Sequence, residues 1–183
     1  MGKTTFKEAL RVVALGFIGA LCISMLGLSM VFYRDTLMPW WVPVGTGLAV
    51  GLLSGIPLHD KWSRLTATSS RWLNYLCHVA VATSVWIFAV IGGNYLFADA
   101  TTAHQERVVV EDKTRETHHK TRRVSRRVYT QGAPYYVYVL TVRFDDGRTK
   151  DMTVKQKKYS RTHIGDTLTV HMQQGLFGYP VMK

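Results

Sequence analysis

Three long apolar stretches occupy the first half of the chain, and a basic segment with strand-like patterning occupies the second. The stretches run over residues 12–33, 40–58 and 72–97. A bilayer's hydrocarbon core is ~30 Å thick and a helix rises ~1.5 Å per residue, so ~20 apolar residues span it. The pattern therefore predicts a three-helix transmembrane domain over residues 1–98. Beyond it the period changes. Arg107–Glu111 holds a short apolar run, and Lys120–Tyr129 alternates imperfectly between basic and apolar or small residues. Residues 134–144 read PYYVYVLTVRF, rich in β-branched and aromatic types. Asp145-Asp146-Gly147 signals a hairpin, because glycine tolerates positive φ, and Arg148–Lys155 makes the returning strand. Gly165-Asp166 opens a strand over Thr167–Met172, with Leu168, Val170 and Met172 on one face. Gly175 and Gly178 punctuate a last turn before Tyr179–Met182. Five or six short strands over residues 99–183 predict a soluble antiparallel barrel or sandwich of OB- or SH3-like kind, so the fold class is membrane α plus β.

The flanks of the apolar stretches agree with spans. Tyr33, Trp40, Trp41, Trp62, Trp72, Tyr75, Tyr95 and Phe97 stand at their ends, where amphipathic rings favour the headgroup level. Pro39 and Pro43 fit the start of the second helix, and Pro57 is expected to close it. Lys3, Lys7 and Arg11 precede the first span, and Lys61, Arg64 and Arg71 lie between the second and third. Arg34 stands alone, beside Asp35, between the first two. The positive-inside rule then places the amino terminus in the cytoplasm and the C-terminal domain outside it. The first stretch is too long for a signal-peptide core and lacks a cleavage site, so it reads as an uncleaved anchor.

Composition refines this picture. A mean hydropathy of +0.01 averages a greasy half with a charged half. The net charge is +11, and residues 99–183 carry sixteen Lys and Arg against nine Asp and Glu. Such an excess suits anionic partners or a solvated surface. Cys22 and Cys77, the two cysteines, both fall in apolar stretches and read as packing residues.

Gly47, Gly51 and Gly55 form a small-residue stripe in the second span, and Gly16, Ala20 and Ser24 form one in the first. Such stripes let helices approach closely, which predicts a tight hairpin of spans one and two, or packing against a second copy. Asn74, His78 and Thr83 are polar positions in the third span. An ionisable residue in a membrane is a functional candidate, but His78 lies one turn from Trp72 and Tyr75 and has no ionisable partner at depth, which favours a structural role.

Tyr136-x-Tyr138-x-Leu140-x-Val142-x-Phe144, then Asp146-Gly147, Tyr159, Ile164-Gly165-Asp166-x-Leu168-x-Val170 and Gly175-x-x-Gly178 form a recognisable run. It is similar to the β-domains of small bacterial multi-spanning membrane proteins from families of unknown function. A looser likeness is to OB-like barrels attached to bacterial membrane proteins. The resemblance covers about fifty residues, mostly turn and core positions. It implies an architecture and a bacterial envelope, and no activity; with the predicted spans, the expected location is the bacterial inner membrane.

The densest charge is Lys113, Arg115, Lys120, Arg122, Arg123, Arg126 and Arg127, which reads either as an anion-binding ribbon or as a solvated edge that deters aggregation. Tyr135, Tyr136 and Tyr138 suit cross-strand or core packing better than base stacking. His104, Glu111, Glu116, His118 and His119 lack a metal-ligand spacing, and Ser160, His163 and Asp166 lack a nucleophile elbow. The expectation is a non-catalytic protein without metal or cofactor, embedded in lipid, whose β-domain serves a protein partner, a homo-oligomer or another membrane assembly. Binding of anionic lipid or polysaccharide, and an accessory role in a transporter, are the alternatives; nucleic acid is disfavoured by the extracytoplasmic placement.

Overall fold

The computed structural model describes residues 6–126 and 129–183. Three helices come first: α1 (Phe6–Arg34), α2 (Trp41–Thr66) and α3 (Arg71–Leu96). By length and composition, all three are able to cross a membrane. Their apolar side chains face outward. Phe17, Ile23 and Met30 on α1 are 69%, 73% and 72% exposed, a surface that water-soluble proteins seldom present but that lipid would cover.

Pro57 does not close the second helix, contrary to the sequence expectation. It lies inside α2, which continues to Thr66 and ends at Ala67 in the left-handed conformation, φ 53°. Packing outweighs the local cost of the proline, because the extra turns are tied to α3. Trp62 Nε1 donates to His78 Nδ1 at 3.2 Å, and Thr66 Oγ1 donates to Asn74 Oδ1 at 2.6 Å. At the other end of the connection, the Ser70 side chain caps α3 by accepting from Leu73 N–H.

The expected hairpin of spans one and two is also corrected. Gly47, Gly51 and Gly55 face α3, not α1. A Cβ at Gly51 would lie 2.8 Å from Thr83 Oγ1 and 3.1 Å from the Val79 carbonyl, and one at Gly55 would lie 2.7 Å from the Tyr75 ring. In α1, Gly16, Ala20 and Ser24 are exposed, and a Cβ at Gly16 would meet nothing within 4 Å. Instead α1 packs along α3, where Phe32 stacks on Tyr95 with ring centroids 4.9 Å apart. The stripe in α2 pairs with α3 because Thr83 offers a matching polar contact, its Oγ1 donating to the Gly47 carbonyl at 3.2 Å.

Five strands follow: β1 (Asp99–Arg123), β2 (Tyr129–Arg143), β3 (Thr149–Val154), β4 (Thr167–Gln174) and β5 (Pro180–Met182). A short helix, α4 (Gln156–Arg161), joins β3 to β4. The strands form one open sheet in the order β3-β2-β1-β4-β5, where a barrel or sandwich was expected. The β1 strand is one 25-residue element, not several short ones, and Val124–Arg126 interrupts the predicted Lys120–Tyr129 strand.

By packing, the chain divides into two units. The helical unit runs through Thr102 and includes Gln173–Met182; the second unit is Ala103–Met172 with Lys183. The second unit has its own core of Val108, Val110, Leu140, Val142, Phe144, Val170 and Met172, all nearly or fully buried. Its apolar residues alternate along β2 and β4, as one buried sheet face requires. Gly147 and Gly165 turn the chain with φ of 82° and 90°, values that disfavour any residue with a Cβ.

Candidate functional site

The predicted basic ribbon exists as a two-stranded projection. Pairing of β2 with β3 begins at Tyr138↔Val154, and Val110 already exchanges backbone hydrogen bonds with Gly165 and Asp166. Beyond these points β1 pairs with β2 alone, from Glu116↔Val137 to Arg123↔Tyr129. Eight residues of β1, Glu116 to Arg123, at ~3.3 Å each give a ribbon of ~25 Å. Every residue from Thr114 to Arg126 is exposed, so the ribbon shields no apolar core.

A β-bulge decides which charges face where. Val110 pairs with Val142, but Asp112 pairs with Thr141, so Glu111 is the extra residue. The insertion shifts the alternation and brings Lys113, opposite Leu140, onto the side of the sheet that carries the core. Arg115 follows, opposite Tyr138. Lys113 Nζ donates to the Thr162 carbonyl and sits 4.5 Å from the centre of the Tyr159 ring. The Arg115 guanidinium lies 4.9 Å from the centre of the Tyr136 ring. A second irregularity lies between His119 and Thr121, where Gly132 passes close to β1: a Cβ there would be 2.8 Å from the Lys120 carbonyl.

The seven predicted anion-binding residues are therefore not one surface. Lys113 and Arg115 are engaged with tyrosines at the base of the ribbon. Alternation puts Lys120 and Arg122 on the opposite face, where His118 bonds Glu116 at 3.0 Å and stacks on Tyr135. At the tip, Arg123 folds back, donating to the carbonyls of Ser125 and Arg126. Arg126 stands exposed beside it, and Arg127 lies outside the described residues. The tyrosines make the expected cross-strand contacts, yet Tyr135 and Tyr136 are 44% and 47% exposed, so neither is core.

In the helical unit, Asn74 and His78 are held by hydrogen bonds within the chain. Trp62 N–H makes His78 Nδ1 an acceptor, which leaves Nε2 to donate to Ser54 Oγ at 2.9 Å. Ser54 Oγ in turn donates to the Val50 carbonyl at 2.6 Å. Asn74 Nδ2 donates to the Thr68 carbonyl at 3.2 Å, while its oxygen accepts from Thr66. Both residues fasten α3 to the end of α2. Cys22 and Cys77 are half-buried free thiols.

Two features escaped the sequence. The first is Asn94, fully buried near the end of α3. Its Oδ1 accepts from Phe177 N–H at 3.0 Å, and its Nδ2 donates to the Tyr179 carbonyl at 3.0 Å. The β4–β5 turn is thus clamped by one amide. The neighbouring loop completes the attachment: Leu37 N–H donates to the Pro180 carbonyl at 2.8 Å, and Met182 N–H to the Asp35 carbonyl at 2.7 Å. Thr36 and Val181 form an antiparallel bridge, which covers the outer edge of β5. A polar residue one turn from the end of a span was the available signal, but its partner is more than eighty residues away in sequence.

The second is α4. Lys155, Lys157, Lys158 and Arg161 line one concavity of about 370 Å³, with Thr162 and Leu168. Tyr159 packs on Tyr138 at 4.9 Å between ring centroids and secures the helix to β2. Ser160 Oγ donates to the Gln156 carbonyl, and the Asp166 carboxylate accepts from His163 N–H at 2.7 Å, so these residues serve the local turns. Among the described residues, no group of three or more His, Cys, Asp or Glu is placed to hold a metal ion.

Comparison with known proteins finds no matching family, no matching curated sequence and no matching solved structure.

Proposed function

We propose that this is a non-catalytic protein of the bacterial inner membrane, with an extracytoplasmic β-domain whose ribbon engages a protein partner and helps assemble a membrane complex. The observation that carries the reading is the ribbon itself. A two-stranded hairpin without a third strand or a helix against it is at best marginally stable in water, and this one buries no apolar core. Its strand edges and the exposed Lys120, Arg122 and Arg126 suit docking against an acidic protein surface, by edge pairing and charge complementarity. The orientation rests on the basic residues Lys7, Arg11, Lys61, Arg64 and Arg71 at one end of the spans against Arg34 at the other.

The test shortens the ribbon by joining Arg115 to Tyr138 through an Asn-Gly turn. This leaves the core from Val108 to Phe144 intact. Full-length and shortened proteins are purified in mild detergent after chemical crosslinking, and accompanying proteins are identified by mass spectrometry. A stoichiometric protein partner retained by the full-length chain and lost from the shortened one supports the reading. Retention by both, or no partner with either, overturns it.

A further inference from the structure

We propose that α4 and Lys155 form a binding site for a phosphate group, separate from the ribbon. The concavity gathers four cations within seven residues. Lys157 and Arg161 are four apart along one side of α4 and repel one another, and Lys155 stands just before the helix as its N-cap. Among the described residues none of the four makes an ion pair with a carboxylate. The acidic residues that flank α4 in sequence are used elsewhere. Asp151 accepts from Thr141 Oγ1 at 2.7 Å, and Asp166 is held by the His163 backbone.

The cluster is also fixed in place. Tyr159 anchors one side of α4 on Tyr138, Thr162 Oγ1 donates to the Lys158 carbonyl at 2.8 Å, and the Thr162 carbonyl accepts from Lys113. Thr162 itself is buried. A short helix held by one aromatic contact, with no ion-paired acid among the described residues, presents concentrated positive charge. The donor set selects the ligand class. Three ammonium groups and one guanidinium fork offer more donors than the two oxygens of a carboxylate can accept, whereas a tetrahedral phosphate offers three or four oxygens and up to two charges. The volume of about 370 Å³ admits a phosphate with an attached organic group. A phospholipid headgroup and a soluble phosphate ester share this chemistry.

The test uses the full-length protein. In one arm, protein in neutral detergent is titrated with inorganic phosphate by calorimetry at constant ionic strength. In the other, phosphatidylglycerol retained after purification is counted by native mass spectrometry. Each arm compares the wild type with K155Q/K158Q/R161Q and with the ribbon variant K120Q/R122Q/R126Q. Expected is saturable one-to-one binding in at least one arm, weakened about tenfold or more by the α4 changes and less than about twofold by the ribbon changes. Binding in the calorimetric arm alone identifies a soluble phosphate, and binding in the lipid arm alone identifies a headgroup. If the triple α4 variant loses its fold by circular dichroism, Lys158→Gln alone carries the comparison. Absence of saturable binding in both arms, or equal loss from both variants, overturns the proposal.

Discussion

Asn94 and Gly175 share one volume: a Cβ on residue 175 would lie 2.3 Å from Asn94 Nδ2, so the clamp on the last turn requires glycine there. Gly175→Ala is expected to push the amide off the backbone of Phe177 and Tyr179. Asn94→Ala removes both hydrogen bonds and leaves the Phe177 N–H without its partner, at roughly 1–3 kcal/mol, while the Tyr179 carbonyl keeps its bond from Gly175 N–H. Both variants should lower the melting temperature in detergent and speed amide exchange across residues 173–182. Unchanged exchange there would contradict the clamp.

The α2–α3 seam predicts a contrast between two glycines. Gly51→Leu inserts a side chain where Thr83 and the Val79 backbone already sit, and overpacking of this kind costs about 1–3 kcal/mol. Gly16→Leu on α1 enters open space and should leave stability within about 0.5 kcal/mol. Disulfide trapping between cysteines introduced on facing positions of α2 and α3 should fail in the first variant and persist in the second.

His78 is expected to act as a fastener. His78→Ala breaks the chain Trp62–His78–Ser54 and leaves the indole N–H without its acceptor, a loss of about 1–3 kcal/mol. Trp62 emission should shift and thermal stability should fall together. An altered ion flux with stability and emission unchanged would instead assign His78 to a transport path.

The β2–β3 turn carries a pH signature. Bonds from the Arg148 side chain and backbone, aided by its charge, hold the Asp146 carboxyl below its ordinary value of 3.8. The folded pKa is depressed, so this contribution is complete above about pH 4 and disappears as pH falls through the folded value. Carbon-detected NMR titration should place the Asp146 midpoint below 3.8, and Asp146→Asn should abolish the pH-dependent change in the Arg148 amide chemical shift through that range. The carboxylate is well exposed, so the effect on global stability is small.

The sequence revealed whatever depended on local pattern. Long apolar runs marked the three helices, and alternation marked Leu168, Val170 and Met172 as one face, of which Val170 and Met172 are buried. Asp145-Asp146-Gly147 and Gly165 declared their turns through the conformations that glycine allows. Features that depended on distant partners stayed hidden. Pro57 looked like a stop because the bonds from Trp62 and Thr66 to α3 cannot be read from α2 alone. The Glu111 bulge moved Lys113 onto the core side against simple alternation. In α4, Gln156–Arg161 contains no apolar periodicity; Tyr159 alone anchors it, and its contact lies on another element. The α2 stripe was legible as a surface of close approach, but its partner was set by Thr83 and Tyr75 on α3, and the α1 stripe at Gly16, Ala20 and Ser24 stays exposed.

The ribbon's role can be measured where the protein works. A photo-crosslinking amino acid placed at Val124, which is 63% exposed at the ribbon tip, and another at Ile164, which is 63% exposed away from it, are activated in intact membranes. The account predicts one discrete protein adduct from position 124, abolished when Lys120, Arg122 and Arg126 are neutralised, and none of that mass from position 164. The same adduct from both positions, or lipid adducts alone at position 124, would contradict it.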